Sequence, residues 1–166
     1  LSKNIQLSPL ERFEQLQNQL NKTAPEPQWL DRQIDSIFSL PTLMDIVQAL
    51  ENANNHWATE TLEILRQRSP LMLHVSLEHI RRGRNLSIAD DMRMERILVQ
   101  HCFKTQHLGR SGSSSETVEG IRALAVDKDQ NPKWNPARIE DITPEMVAPF
   151  FTSPWPENPH PLANLK

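Results

Sequence analysis

His74 and His79 are five residues apart, a step that on a helix turns them about 140° from each other. A zinc pair on one helical face needs i, i+4 spacing, as in H-E-x-x-H, so these two read as surface or half-buried histidines and not as ligands. Cys102 stands beside His101, with His107 nearby. Adjacent helical residues do not face each other, so the pair is no preformed nucleophile and base. Cys102 reads instead as a core thiol. Gly109-Arg110-Ser111-Gly112 is one residue short of a G-x-S-x-G elbow and has no strand before it, so it reads as a loop. Arg81, Arg82 and Arg84 gather where a helix should end. There they either complement its dipole or grip a phosphate through paired hydrogen bonds. The acidic pairs Asp90-Asp91 and Glu140-Asp141 read as helix-start charge and solvated surface. None of these groups marks a reaction centre. No residue of this chain is assigned a catalytic or metal-ligating role.

The elements that would position these residues are helices. Ser8-Pro9-Leu10-Glu11 has a hydroxyl at N-cap, proline at N1 and a carboxylate at N3, and Leu10, Phe13, Leu16 and Leu20 then line one side. Thr23 to Pro27 is a proline-marked connection. Leu30, Ile34, Ile37 and Phe38 give the next apolar face. Thr42 and Asp45 form a second capping box ahead of Leu43, Ile46, Val47 and Leu50. Asn52 to Asn55 break the pattern, and Trp57 starts a short helix with Ala58, Leu62 and Leu65. Ser69-Pro70 caps a helix that Gly83 is expected to stop, and Ser87 with Asp90 opens a longer one through Met94, Leu98 and Cys102. Residues 109–115 read as a flexible loop, 116–126 as a helix, and Thr143-Pro144 as the start of a last helix reaching Phe151. Beyond Thr152 the Pro-rich tail is expected to be extended. The fold class is all-α, with 1–28 as a helical lead-in, 29–151 as a helical domain and 152–166 as the tail.

Composition bounds the function. The chain has 166 residues with 18 Lys+Arg against 21 Asp+Glu, a net charge of −3 that argues against a dedicated nucleic-acid binder. Leu, Ile, Val and Phe make up about a quarter of it, above the roughly 20% below which disorder sets in, while a mean hydropathy of −0.56 keeps much of the chain wet. One cysteine excludes an internal disulfide and any multi-cysteine metal site. Four scattered glycines exclude Gly-rich phosphate loops. No apolar run approaches a membrane span, and the expected compartment is the cytoplasm. Because the first residue is Leu1 and not Met, the chain is expected to be a processed or excised piece.

The run Glu119-Gly120-Ile121-Arg122-Ala123-Leu124-Ala125-Val126-Asp127-Lys128-Asp129-Gln130-Asn131-Pro132-Lys133-Trp134-Asn135-Pro136 closely resembles a C-terminal signature of 3-hydroxyisobutyryl-CoA hydrolases, a branch of the enoyl-CoA hydratase/isomerase (crotonase) superfamily. The likeness extends over 29–151, through the Ser69-Pro70 helix, the long helix with Met94-Glu95, and the closing helix at Ile142 to Phe151. Several stretches, among them Ser69 to Val75 and Met94-Glu95-Arg96, are closer to bacterial members. One departure is Glu116-Thr117, where many hydrolases of the branch carry an Asp-Phe step.

The resemblance implies a C-terminal helical part of a bacterial acyl-CoA thioester hydrolase of valine breakdown. The catalytic groups would lie in an N-terminal crotonase core that this chain does not resemble. That core would be the chain's packing partner, the acyl-CoA substrate would be met through it, and self-association would be a further role. No cofactor would be needed beyond the CoA of the substrate. By position Lys128, with Arg122 beside it, would approach the CoA adenine or phosphates. Trp134, bracketed by Pro132 and Pro136, reads as an anchor for its turn. A hydratase or isomerase of the same superfamily, and a non-catalytic docking module, are the alternatives.

Overall fold

The computed structural model describes residues 8, 12, 14–16, 18, 19, 28–155 and 160–166. Most of the expected cap over 8–11 and the connection at 23–27 lie outside them. The chain divides into two compact units, Leu1–Ser39 and Leu40–Lys166. In the first, Arg12, Glu14 to Leu16, Asn18 and Gln19 have helical backbone, and helix α1 spans Gln28–Phe38.

The second unit is built from capped helices. Thr42 opens α2 (Leu43–Asn52) with a reciprocal box: the Asp45 amide donates to Thr42 Oγ1 at 3.0 Å, and the Thr42 amide donates to Asp45 Oδ2 at 3.1 Å. Asn54, at φ 48°, turns the chain into α3 (His56–Gln67), whose cap is Asn55. Ser69 caps α4 (Pro70–Gly83), and Ser87 caps α5 (Ile88–Phe103). Ser115 caps the short α6 (Glu116–Ile121), which widens into a π turn over Arg122–Val126. Helix α7 (Pro144–Val147) tightens into a 3-10 turn at Ala148–Phe151. No strand occurs among the described residues, and the all-α expectation holds.

Helix α4 is the central element, for a reason visible in its register. Leu71 and Val75 lie one turn apart and enter a core with Met94, Leu98, Ile142, Val147 and Phe150. Leu73 and Leu77 lie on the opposite side and pack against a second core of Leu43, Val47 and Ile139. Burying such side chains is worth about 1.5–3 kcal/mol each, so a helix apolar on two sides is held between layers.

Two expectations are corrected, and a third holds with a different cap. Helix α4 ends at Gly83 as expected, but its cap Arg84 stays in right-handed conformation at φ −53°. A Cβ at Gly83 would instead lie 3.1 Å from Asp91 Oδ1, so glycine here makes room for a neighbour. Residues 109–115 are not a loose loop. Gly109 takes φ 65°, a 3-10 turn follows at Gly112–Ser114, and the buried Thr105 hydroxyl donates to the carbonyls of Arg110 (3.1 Å) and Ser111 (2.8 Å). The tail at 160–166 is also not extended: the Ala163 amide donates to His160 O at 2.8 Å, closing a turn. Arg93 secures that turn by donating to the carbonyls of Leu162 (3.0 Å), Ala163 and Leu165. A planar guanidinium can satisfy several carbonyls at once, which proline-rich composition does not reveal.

Candidate functional site: the Arg122 loop and its basic cleft

The segment after α6 is organised around one side chain. Arg122 has five N–H donors, and five hydrogen bonds leave it. They run to both carboxylate oxygens of Glu119 (2.8 and 2.9 Å), to Asp127 and Asp129 (2.7 Å each), and to the carbonyl of Asn131. This fixes a loop that reverses through two residues of positive φ, Lys128 at 57° and Gln130 at 55°. The Arg122 guanidinium and the Lys133 amide hold the Glu119 carboxyl down at about 2, and Asp129 is lowered by Arg122 in the same way. Arg122 is thereby committed to the loop, which corrects its expected approach to a CoA phosphate. Lys128 is presented at the loop's exposed turn.

The loop returns across α3 and α6. Trp134 Nε1 donates to the Gln67 carbonyl at the end of α3 (3.1 Å), and its indole lies against Gly120. The ring therefore anchors this turn, as its proline-bracketed position suggests. A cis peptide bond joins Asn135 to Pro136. Beside the loop opens a cleft of about 470 Å³, with Arg68 and Lys133 around Leu124, Gln130 and Trp134, while Arg66 at its edge is paired with Glu51 at 2.6 Å. Its cations and indole face suit an anionic ligand with a planar ring.

Beneath the loop sits a residue that the sequence marks only as the start of the 116–126 helix and as half of the Glu116-Thr117 departure. Glu116 is 7% exposed and accepts hydrogen bonds from Ser69 Oγ, from Arg110 Nη1 (3.2 Å) and from the Asn135 amide (3.2 Å). It ties the α4 cap, the 110 turn and the end of the signature run together.

The remaining candidates are placed apart. His74 Nε2 donates to Ile139 O (3.1 Å) and lines a separate cleft of about 390 Å³ with Glu78, Arg81 and Arg82. His79 faces Asp91 on α5, 3.5 Å away. Arg81 donates to Leu40 O, while Arg82 pairs with Glu78 (2.6 Å) and lies over the Phe151 ring, so neither is poised for phosphate. Ser111 bonds to neighbouring serine hydroxyls in the 3-10 turn and is no nucleophile elbow. Cys102 packs at the edge of the core, where burial raises its thiol above the usual range and keeps it protonated. His101 donates to Thr152 O (2.8 Å) and meets the His107 ring edge-on at 4.6 Å.

Burial holds His107 below the ordinary histidine value, with His101 adding to the shift; burial lowers His74 too, partly offset by its bond to Ile139. Both rings are thus kept neutral in the folded chain, whereas the unfolded chain takes up their protons below about 6.5. Their contribution to stability is full above that value and is lost as pH falls through it. Thermal midpoints should be flat above about pH 7 and decline on acidification through about 6.5, and the paired change His74→Gln with His107→Phe should flatten the decline. A wild-type midpoint constant from pH 7 to 5 would contradict this.

Comparison with known proteins bears on the same segment. The family model described as enoyl-CoA hydratase/isomerase matches residues 3–151. A protein named probable 3-hydroxyisobutyryl-CoA hydrolase 3, from Arabidopsis thaliana, is 38% identical over 122 residues, covering 71% of this chain and 31% of that protein. The small ribosomal subunit protein mS47 of the same plant is 39% identical over 124 residues, covering 72% of this chain and 29% of that protein. The crystal structure of an enoyl-CoA hydratase from Rhodobacter sphaeroides superposes with a TM-score of 0.68 at 29% identity, over 90% of this chain and 44% of the other. The chain spans less than a third of the length of these two plant relatives.

Proposed function

The chain belongs to the enoyl-CoA hydratase/isomerase family, and we propose that it is the C-terminal helical part of a cytoplasmic, bacterial CoA-thioester hydrolase of the 3-hydroxyisobutyryl-CoA type, acting in valine breakdown. The supporting observation is the Arg122-centred loop: the run that resembles the hydrolase signature is held together by five hydrogen bonds from a single side chain. Hydrolysis of the thioester, to free acid and CoA, is carried out by an N-terminal core and needs no organic cofactor or metal. The chain packs on that core, and its helices are also the surface for self-association. An apolar stripe on α5 supports the packing: Ile88, Met92, Val99 and Phe103 fall within about 60° of one another around the helix, yet are 81, 45, 48 and 54% exposed.

In this reading Lys128 contacts the CoA phosphates, and the cleft of Arg68 and Lys133 extends the positive surface beside it. Reversing the charge with Lys128→Glu in the whole enzyme should raise KM for the acyl-CoA by about tenfold, equal to about 1.4 kcal/mol, and leave kcat nearly unchanged, the signature of lost uniform binding. An unchanged KM would remove Lys128 from the site.

Two observations favour other readings. The solved neighbour is a hydratase, and one relative is named as a ribosomal subunit protein. With the whole protein and an enoyl thioester, a fall in ultraviolet absorbance without free thiol would identify a hydratase. Free thiol from 3-hydroxyisobutyryl-CoA supports the hydrolase, and neither signal leaves a docking module.

A further inference from the structure

Three side chains that sequence spacing keeps apart converge between α4 and α5. His79 leaves α4, while Asp91 and Glu95 leave one face of α5 a single turn apart. One ligand-type atom from each lies within 4.8 Å of the other two. His79 Nε2 and Asp91 Oδ1 are 3.5 Å apart. Two ligands at about 2.1 Å from one tetrahedral ion would be about 3.4 Å from each other, so the His79–Asp91 pair already has the spacing of a shared cation, and the exposed Glu95 needs only a small side-chain movement to join it. Asp91 Oδ1 is itself shielded from solvent and accepts no hydrogen bond. The Asp91 side chain as a whole is 36% exposed, but a shielded carboxylate oxygen without a donor is costly, and an ion held between it and His79 would satisfy it. Gly83 contributes by omission, since a Cβ there would press on that same oxygen at 3.1 Å.

We propose that His79, Asp91 and Glu95 form a binding site for a divalent transition cation of the zinc type, pinning α4 to α5. Two carboxylates and one neutral imidazole give a donor set of charge −2 that balances the ion, and mixed nitrogen and oxygen ligands suit zinc over calcium or magnesium. Glu95 is exposed, which leaves the fourth position to water. The site lies outside the Arg122 loop and supplies nothing to thioester cleavage. Its role is to fasten the hairpin of the two helices.

Titration calorimetry of the 166-residue chain with Zn²⁺ at neutral pH tests it. One equivalent should bind, the thermal midpoint should rise with Zn²⁺, and Glu95→Gln should weaken binding by at least about tenfold. His79→Ala should do the same, and the exposed Glu95 keeps the test open if that variant fails to fold. Cys102→Ser controls for zinc held by the thiol with His101 and His107, and should leave the affinity unchanged. No saturable binding below about 1 mM, or binding kept in Glu95→Gln and lost in Cys102→Ser, would overturn the proposal.

Discussion

Glu116→Ala is expected to destabilise the chain by about 3–5 kcal/mol, the range for removing one partner of a buried ion pair. Its ion-pair partner Arg110 is only 15% exposed, so the guanidinium would be left charged, poorly hydrated and unpaired. The Ser69 hydroxyl and the Asn135 amide would lose their acceptor at the same time. The loss should therefore be shared among the α4 cap, the 110 turn and the end of the signature run. Urea unfolding reads it as a lower midpoint at an unchanged slope, and amide exchange should quicken around Asn135. Glu116→Gln keeps acceptor oxygen but not charge and should fall between wild type and alanine. A loss below about 1 kcal/mol for alanine would mean that the carboxylate is bystander and not hub.

Phe150→Ala is the second large effect, at about 3–5 kcal/mol. Phe150 is 2% exposed and belongs to the core that joins α4, α5 and α7. Truncation leaves a cavity in the cluster with Leu71, Leu98 and Val147, whose three helices cannot close it without moving. The same ring lies edge-on to His107 at 4.6 Å and is part of what buries that imidazole. Phe150→Ala should accordingly carry a second signature: His107 recovers water, its pKa rises toward the ordinary value, and the fall in stability below about pH 6.5 becomes shallower. Phe150→Leu restores most of the volume and should cost much less. Equal stabilities for the alanine and leucine variants would contradict this packing.

The two effects differ in how far sequence could foresee them. Phe150 follows from the apolar spacing of Met146, Val147, Phe150 and Phe151, the caps at Thr42 and Ser87 follow from an aspartate three positions on, and the cap at Ser69 from the proline beside it. Such signals are local, and local signals survive folding wherever tertiary packing agrees with them. Glu116 is different, since Ser69 lies 47 residues before it and Asn135 19 after. Arg93 reaches carbonyls about 70 residues away, and His79 meets Asp91 only because a helical hairpin folds back. No periodicity encodes those partnerships. For the loop, the resemblance marked the run from Glu119 to Pro136 and the position of Lys128, but it could not show that Arg122 is spent on holding that loop. The alternation of Asp127, Lys128 and Asp129 reads as solvated charge until the guanidinium between the two carboxylates is seen.

In the function proposed above, this chain belongs to a CoA-thioester hydrolase whose reaction centre lies elsewhere. Thiol release from 3-hydroxyisobutyryl-CoA, measured side by side for the 166-residue chain and for the whole enzyme, decides it. The expected result is free CoA from the whole enzyme and none above background from the chain. Free CoA produced by the chain alone would contradict the account and place a catalytic group among these helices.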